Sequence, residues 1–307
     1  MKKISCLGIL VMDVLSGPLS SYPIPGRKTQ VISENIKFMP GGGAANSSSA
    51  LGQMGLDVSV FSKVGNDPNG IFIINELKRN NVNTDGIVIS DTDVTPFTFV
   101  GIHKNGDRTF IHTPGANKTF RLEDMGNEKI LGSDILLYQD LWVLPLIDGK
   151  PGAELLKEAK SGGATTILDE CWGLGPDRRI FEEMLPYLDY VLPSLDDMRV
   201  IYPGRTASEI AGHIISLGCK NVVLKMGADG CLLVNGKETF TIPSAVKKIV
   251  DTTGAGDCWD AGFIAGIANG LSFKDAAETG TATAAICIEN IGGAVGIPPY
   301  EEIISEM

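Results

Sequence analysis

The sequence predicts an α/β fold, a mostly parallel central sheet flanked by helices, with a small β-sheet lid inserted into it. Three observations lead there. Apolar runs of strand length alternate with longer runs of helical period. The 37 glycines suit many tight strand–helix junctions. Two stretches break the alternation and read as antiparallel strands. With 307 residues and 43% hydrophobic content the chain can bury a large core. No linker, low-complexity segment or internal repeat interrupts it, so residues 1–307 read as a single domain.

Taken in order, Lys3–Ile9 is the first strand. Met1-Lys2-Lys3 before an apolar run has the outline of a short signal peptide, but Asp13 ends that run and no small-residue cleavage site follows; a buried strand accounts for the same residues. Val58–Val64, Asp134–Tyr138, Thr165–Asp169, Tyr190–Leu192 and Asn221–Met226 continue the strands. Helical patterns fall at Ala44–Met54, Gly70–Arg79, Gly152–Lys160, Ile180–Leu185 and Ala207–Leu217. Two small-residue-rich helices, Gly256–Asn269 and Phe273–Glu289, close the chain. The lid strands come from about 13–40 and 95–113: Val31–Phe38 alternates without a helical stripe, and Thr98–His103 and Arg108–His112 flank Lys104-Asn105-Gly106-Asp107, a hairpin signal. Such a lid would cover the carboxyl edge of the main sheet, where ligands usually bind.

Composition excludes several classes. A net charge of −11 lacks the basic footprint that a nucleic-acid or anionic-membrane surface needs. No uncharged apolar run approaches the roughly 20 residues of a membrane span, and the protein is expected in the cytoplasm. Cys6, Cys171, Cys219, Cys231, Cys258 and Cys287 form no Cys-x-x-Cys pair and read as reduced, mostly buried thiols. His103, His112 and His213 form no His-x-x-x-His pair and read as structural or solvated. Arg178-Arg179 reads as a surface pair at a helix start, and Asp148 and Lys150 as loop residues.

The densest chemical signal is Asp251-Thr252-Thr253-Gly254-Ala255-Gly256-Asp257, running straight into an apolar helix. Small residues at 254–256 let the backbone turn and present consecutive N–H groups at a helix start, a seat for a phosphate oxygen. Asp257 then stands beside the phosphoryl group, ionised and able to accept a proton from an attacking hydroxyl. The same letters also spell a turn followed by an aspartate that the helix dipole favours. A dinucleotide fingerprint is excluded by Trp259, where a third glycine would stand. A phosphate loop of the Gly-Lys-Ser/Thr kind is excluded because Pro151 follows Gly149-Lys150 and Glu238 follows Gly236-Lys237. Gly41-Gly42-Gly43-Ala44-Ala45-Asn46 opens the first helix; its glycines permit close ligand approach or a hinge, and the Asn46 amide suits sugar hydroxyls. Asp13, at the end of the first strand, is a third candidate.

Together these residues resemble the ribokinase-like (PfkB) sugar kinases. Asp251–Asp257 is similar to that family's C-terminal signature, and Gly41-Gly42…Ala45-Asn46 to its N-terminal one. Lys63-Val64-Gly65-Asn66-Asp67-Pro68-Asn69-Gly70 and Gly115-Ala116-Asn117 also match, so the likeness spans essentially the whole chain. The resemblance implies a three-layer α/β/α fold with a lid, and transfer of the ATP γ-phosphoryl group to a sugar-like hydroxyl, with nucleosides as the alternative acceptor and a non-catalytic nucleotide- or sugar-binding regulator on the same scaffold as the second alternative. Asp257 would be the base and Gly254, Ala255 and Gly256 the anion hole. Asp13, Gly41, Gly42 and Asn46 would hold substrate, and Lys225, Gly227 and Ser194 would contact ATP. Asp197 would serve Mg2+, and Asp251 with Thr253 a monovalent cation such as K+. A homodimer through the lid is likewise implied.

The departures from the family pattern are specific. Its Asn-x-x-Glu motif falls on Ser194-Leu195-Asp196-Asp197. Gly43 stands where ribokinases proper carry lysine, and Leu141, beside Asp140, where they carry glutamate. Asp169-Glu170-Cys171-Trp172 replaces an Asp-Pro-Asn pattern. Ribose itself is therefore not the expected substrate. Arg108 could reach a substrate from the lid, or simply be an exposed hairpin arginine.

Overall fold

The computed structural model describes residues 1–22, 26, 28–104, 108–171 and 175–307. Thirteen strands are found among these residues: β1 (Lys3–Leu7), β2 (Val11–Leu19), β3 (Ser33–Gly41), β4 (Asp57–Gly65), β5 (Asn83–Ser90), β6 (Phe97–His103), β7 (Arg108–Thr113), β8 (Ile135–Leu141), β9 (Thr165–Glu170), β10 (Tyr190–Val191), β11 (Asn221–Lys225), β12 (Cys231–Asn235) and β13 (Thr239–Ile242). Nine form the main sheet, ordered β13-β12-β11-β10-β9-β8-β1-β4-β5. It is parallel from β11 through β5, and only β12 is reversed, so that its pairings with β11 and with the edge strand β13 are antiparallel.

Burial on both faces explains why the central strands read as unbroken apolar runs. Along β8, Ile135 and Leu137 enter one apolar layer while Leu136 and Tyr138 enter the other. The first layer is completed by the helices Gly43–Gln53, Ala255–Ala268 and Phe273–Ile288, the second by Lys150–Ser161, Arg178–Met184 and Ala207–Ser216. Helix, sheet and helix thus stack as the expected three layers. The lid is a second sheet, ordered β3-β2-β6-β7.

Several expectations are revised. Asp13 does not end the first strand: β1 stops at Leu7, and Asp13 lies within β2 of the lid. Strands β5, β12 and β13 carry no sequence expectation, because Asn, Asp and Gly occupy much of Asn83–Gly86 and the last two flank a turn. The predicted hairpin turn at Lys104–Asp107 lies outside the described residues from 105 onward, as does Trp172; the strands β6 and β7 on either side of the turn do pair antiparallel. Asp148 is not a simple loop residue. It accepts the Tyr138 hydroxyl at 2.7 Å and the Leu144 N–H at 2.9 Å, and burial pushes its carboxyl up to about 7.

Candidate active site

The first helix and the last long helix pair meet at one polar cavity of about 220 Å3 on the carboxyl edge of the sheet. Asp13, Gly42, Asn46, Gln139, Asp140, Asp169, Glu170 and Asp257 all reach its wall. The structure therefore gathers residues separated by more than two hundred positions into one place.

Asp257 lies in the first turn of the helix Ala255–Ala268, whose N-cap Gly254 has φ 72°. The first N–H groups of any helix lack intrahelical partners, so the amides of 255–257 face outward from the helix start. The Ala255 N–H turns back to the Thr252 carbonyl at 3.3 Å, which leaves Gly256 and Asp257 as the better-presented donors. The Asn46 side-chain amide donates to Asp257 Oδ2 at 2.7 Å. Ser47 donates its hydroxyl to the Asp257 carbonyl at 2.9 Å, and Gln139 donates to Ser47 Oγ at 2.8 Å. Burial pushes the Asp257 carboxyl up, partly offset by the Asn46 donation. It is thus moved toward the range useful for a base near neutral pH.

Asp13 approaches from the lid. The register pairs it with Met39 on β3 and Thr98 on β6, so its side chain shares a face with theirs. A Cβ at Gly41 would stand 1.9 Å from Asp13 Oδ2; glycine there is what lets the carboxylate lie against the backbone. Burial raises Asp13 to about 7, with the Thr98 hydroxyl pulling the other way.

Asp140 is the residue that sequence reasoning passed over. It accepts from the N–H groups of Ile9 (2.8 Å), Gly43 (3.0 Å) and Ala44 (3.2 Å), and so caps the glycine-opened helix from another strand's end. Gly42, the N-cap, offers no side chain for this purpose. Burial, with the nearby Asp257 charge, raises Asp140 to about 7, against the three backbone donations. A Cβ at 43 would lie 2.7 Å from Asp140 Oδ1. The departure at Gly43 is therefore tied in space to Asp140, the neighbour of the departure at Leu141: the Asp140 carboxylate fills the space that a side chain at 43 would need.

Behind the helix start lies a charged cluster. Lys225 Nζ, near Gly256, donates to Asp169 Oδ2 at 2.9 Å and Asp260 Oδ1 at 3.0 Å. Burial opposes its charge, but these carboxylates hold the ammonium above its usual range. Lys225 is thus a largely buried counter-ion to Asp169 and Asp260 behind the helix start. Burial and the neighbouring Asp169 push Glu170 up; its Oε1 accepts the Ser194 N–H at 2.8 Å, while Oε2 is buried without a partner among the described residues. Ser194 caps the helix Leu195–Ile201, its hydroxyl accepting the Asp197 N–H at 3.2 Å. Gly227 opens a short 3-10 turn just after β11. Among the described residues no three His, Cys, Asp or Glu side chains are arranged to hold a metal by themselves.

Other residues take the roles expected of them or new ones. His103 pairs with Thr109 at 2.7 Å, His112 with Thr98 at 3.0 Å, and His213 with Glu182 at 3.3 Å. Arg178 and Arg179 pair with Glu182 and Asp177 at the surface. Arg108 is no free hairpin arginine: its guanidinium donates to Thr253 Oγ1 and to Asp251 Oδ1.

Comparison with known proteins gives a consistent picture. Residues 1–299 match the profile described as pfkB family carbohydrate kinase. A ribokinase of Lactococcus lactis is 26% identical over 312 residues, covering all of this chain and 97% of that protein. The solved structure of a Thermotoga maritima ribokinase superposes with a TM-score of 0.87 at 27% identity, covering 99% of each chain. An Arabidopsis thaliana ribokinase complexed with ribose and ATP shares the fold, with a TM-score of 0.87 at 22% identity over 99% of this chain and 98% of that one.

Proposed function

The chain belongs to the pfkB family of carbohydrate kinases, and from that membership and its site we propose that it transfers the γ-phosphoryl group of ATP to a hydroxymethyl hydroxyl of a sugar or sugar derivative, with Asp257 as base. It is accordingly a phosphotransferase with an alcohol acceptor. The observation that carries the finer reading is the Asn46–Asp257 contact at 2.7 Å, which holds a carboxylate beside the helix-start amides inside the polar cavity.

In this reading the substrate oxygen attacks the γ-phosphorus, the bond from that phosphorus to the β-bridging oxygen breaks, and ADP leaves. The hydroxyl proton passes to Asp257. The amides at 254–257 and the helix dipole stabilise the charge on the transferring group, which is the main work in phosphoryl transfer. Asp13 and Asn46 accept and donate to sugar hydroxyls, and Gly41 and Gly42 let the substrate approach the backbone. Lys225, through Asp169 and Asp260, balances charge below the site. Asp197, with the unpartnered Glu170 Oε2 nearby, would hold Mg2+, an ion usually bound by one or two carboxylates plus phosphates and water. When bound, that ion would neutralise charge on the β- and γ-phosphates.

A sugar is favoured over a nucleoside because the described lining is rich in carboxylates and amides, groups that suit a hydroxyl-rich acceptor. No helix among the described residues is long and apolar enough to cross a membrane. The lid offers a seat for a second copy. Phe38, Val14, Phe99 and Ile111 form one row across its four strands, with Phe38 and Ile111 exposed by 53% and 62%.

The test is ADP release from Mg-ATP across a panel of sugars, sugar acids and nucleosides. A sugar or sugar acid supporting the fastest turnover is the expected result. A nucleoside in that place would transfer the reading to nucleoside phosphorylation, and ATP binding without turnover on any acceptor would refute it.

A further inference from the structure

Arg108 has no part in the transfer just described, yet it makes the best-built ion pair at the edge of the site. Its guanidinium donates to Asp251 Oδ1 at 2.5 Å and to Thr253 Oγ1 at 2.6 Å. Asp251 Oδ1 also accepts the Thr253 N–H at 2.9 Å and the Thr253 hydroxyl at 2.8 Å, while Oδ2 accepts the Gly292 N–H at 2.9 Å. Both carboxylate oxygens are therefore spent, and the side chain is 6% exposed. Burial alone would raise the Asp251 carboxyl, but these donations hold it below its usual range. A second lid cation completes the arrangement: Lys37 Nζ, from β3, donates to the Ile291 carbonyl at 2.6 Å, beside Gly292.

The family resemblance places a monovalent cation at Asp251 and Thr253. The donor set found here does not fit one. A guanidinium already supplies the positive charge, and it comes from the lid rather than from solvent. The loop it braces, 251–254, leads directly into the amides of the anion hole.

We propose that Arg108, seconded by Lys37, takes the electrostatic place of a monovalent cation, so that the anion hole is ordered by seating of the lid and turnover is independent of K+. This rests on the kinase reading above. Arg108 is a positioning residue: it touches neither substrate nor the reacting phosphorus, and acts through Asp251 and Thr253.

The experiment is a K+ titration at constant ionic strength, with tetramethylammonium as the replacement ion. Two quantities are followed: ADP formation with the best acceptor of the panel, and the thermal unfolding midpoint with Mg-ADP present. Wild-type protein is expected to show no K+ effect in either. Arg108→Ala is expected to lose roughly tenfold to a hundredfold in turnover, as misplacement of a catalytic loop does, and to recover severalfold with K+. Its unfolding midpoint should rise with K+, as binding to the folded state alone requires. Arg108→Lys, which keeps the charge, should remain indifferent to K+. Activation or stabilisation of the wild type by K+ overturns the proposal, and that arm needs no variant to fold. An Arg108→Ala protein equal to wild type, or unresponsive to K+, also overturns it. If no acceptor is turned over, the kinase reading fails, while the unfolding midpoints still decide the role of Arg108.

Discussion

Asp257 meets two opposed demands: it must be ionised to accept a proton, yet it sits where burial disfavours its charge. Asn46 settles part of that conflict by donating to Oδ2. Asp257→Asn is expected to fold and to lose turnover by roughly 10²–10⁴-fold, the usual worth of a positioned base. Coupled ADP release and thermal unfolding measured on the same sample would check both halves. Because the Asp257 carboxyl is raised and Asp13 lies at about 7, activity should climb as pH rises toward neutrality. The acid limb of kcat/KM should therefore lie well above the ordinary aspartate value of about 4. Stability has the opposite sign. A carboxyl raised by folding contributes its full stabilisation below about pH 4 and loses it as pH rises through its folded value. Asp13→Asn should flatten the fall in unfolding midpoint between about pH 4 and pH 7, the window between the ordinary and the folded values, and raise KM with little change in folding. At this scale Asp257, Asn46 and Gly41 were legible because each belongs to a short contiguous motif. Arg108 was not, since its partners Asp251 and Thr253 lie more than 140 positions away.

Among the elements, the helix Gly43–Gln53 is the one that organises the site, and it starts without a side-chain cap of its own. Its cap comes from the last turn of β8, where Asp140 adopts φ 61° to reach the Ile9, Gly43 and Ala44 amides. Asp140→Ala would leave three buried donors unpaired. We expect a loss of about 2–4 kcal/mol, from a lost cap plus unsatisfied amides, read as a lower denaturant midpoint at unchanged slope. Gly43→Lys, which restores the lysine of the ribokinase pattern, should be poorly tolerated alone and improved by Asp140→Ala, since the two side chains compete for one space. Periodicity revealed the long helices and the buried strands because each has a strong repeat. It caught even the two-residue β10 but not β5, where polar residues and Gly86 mask the alternation.

For the whole molecule, the layered α/β sheet was readable from the alternation of strand-like and helix-like runs, and the lid from the two stretches that break it. The order of strands was not, because nothing in residues 3–7 says that their neighbours will be β4 on one side and β8 on the other. The lid's apolar row carries a further expectation. Sedimentation should find a dimer, and Phe38→Lys combined with Ile111→Lys should shift it to monomer while each site stays intact.

That Asn46 and Ser47, the latter held by Gln139, reach across to Asp257 also bears on how the chain comes to be folded. As the protein emerges during synthesis, the first helix is made early and its polar groups must wait for the helix Ala255–Ala268. Pairings of such sequence separation close late and slowly. The nascent chain should therefore acquire its sheet before its chemistry, and a ribosome-stalled chain lacking residues beyond 250 should compact without binding Mg-ATP.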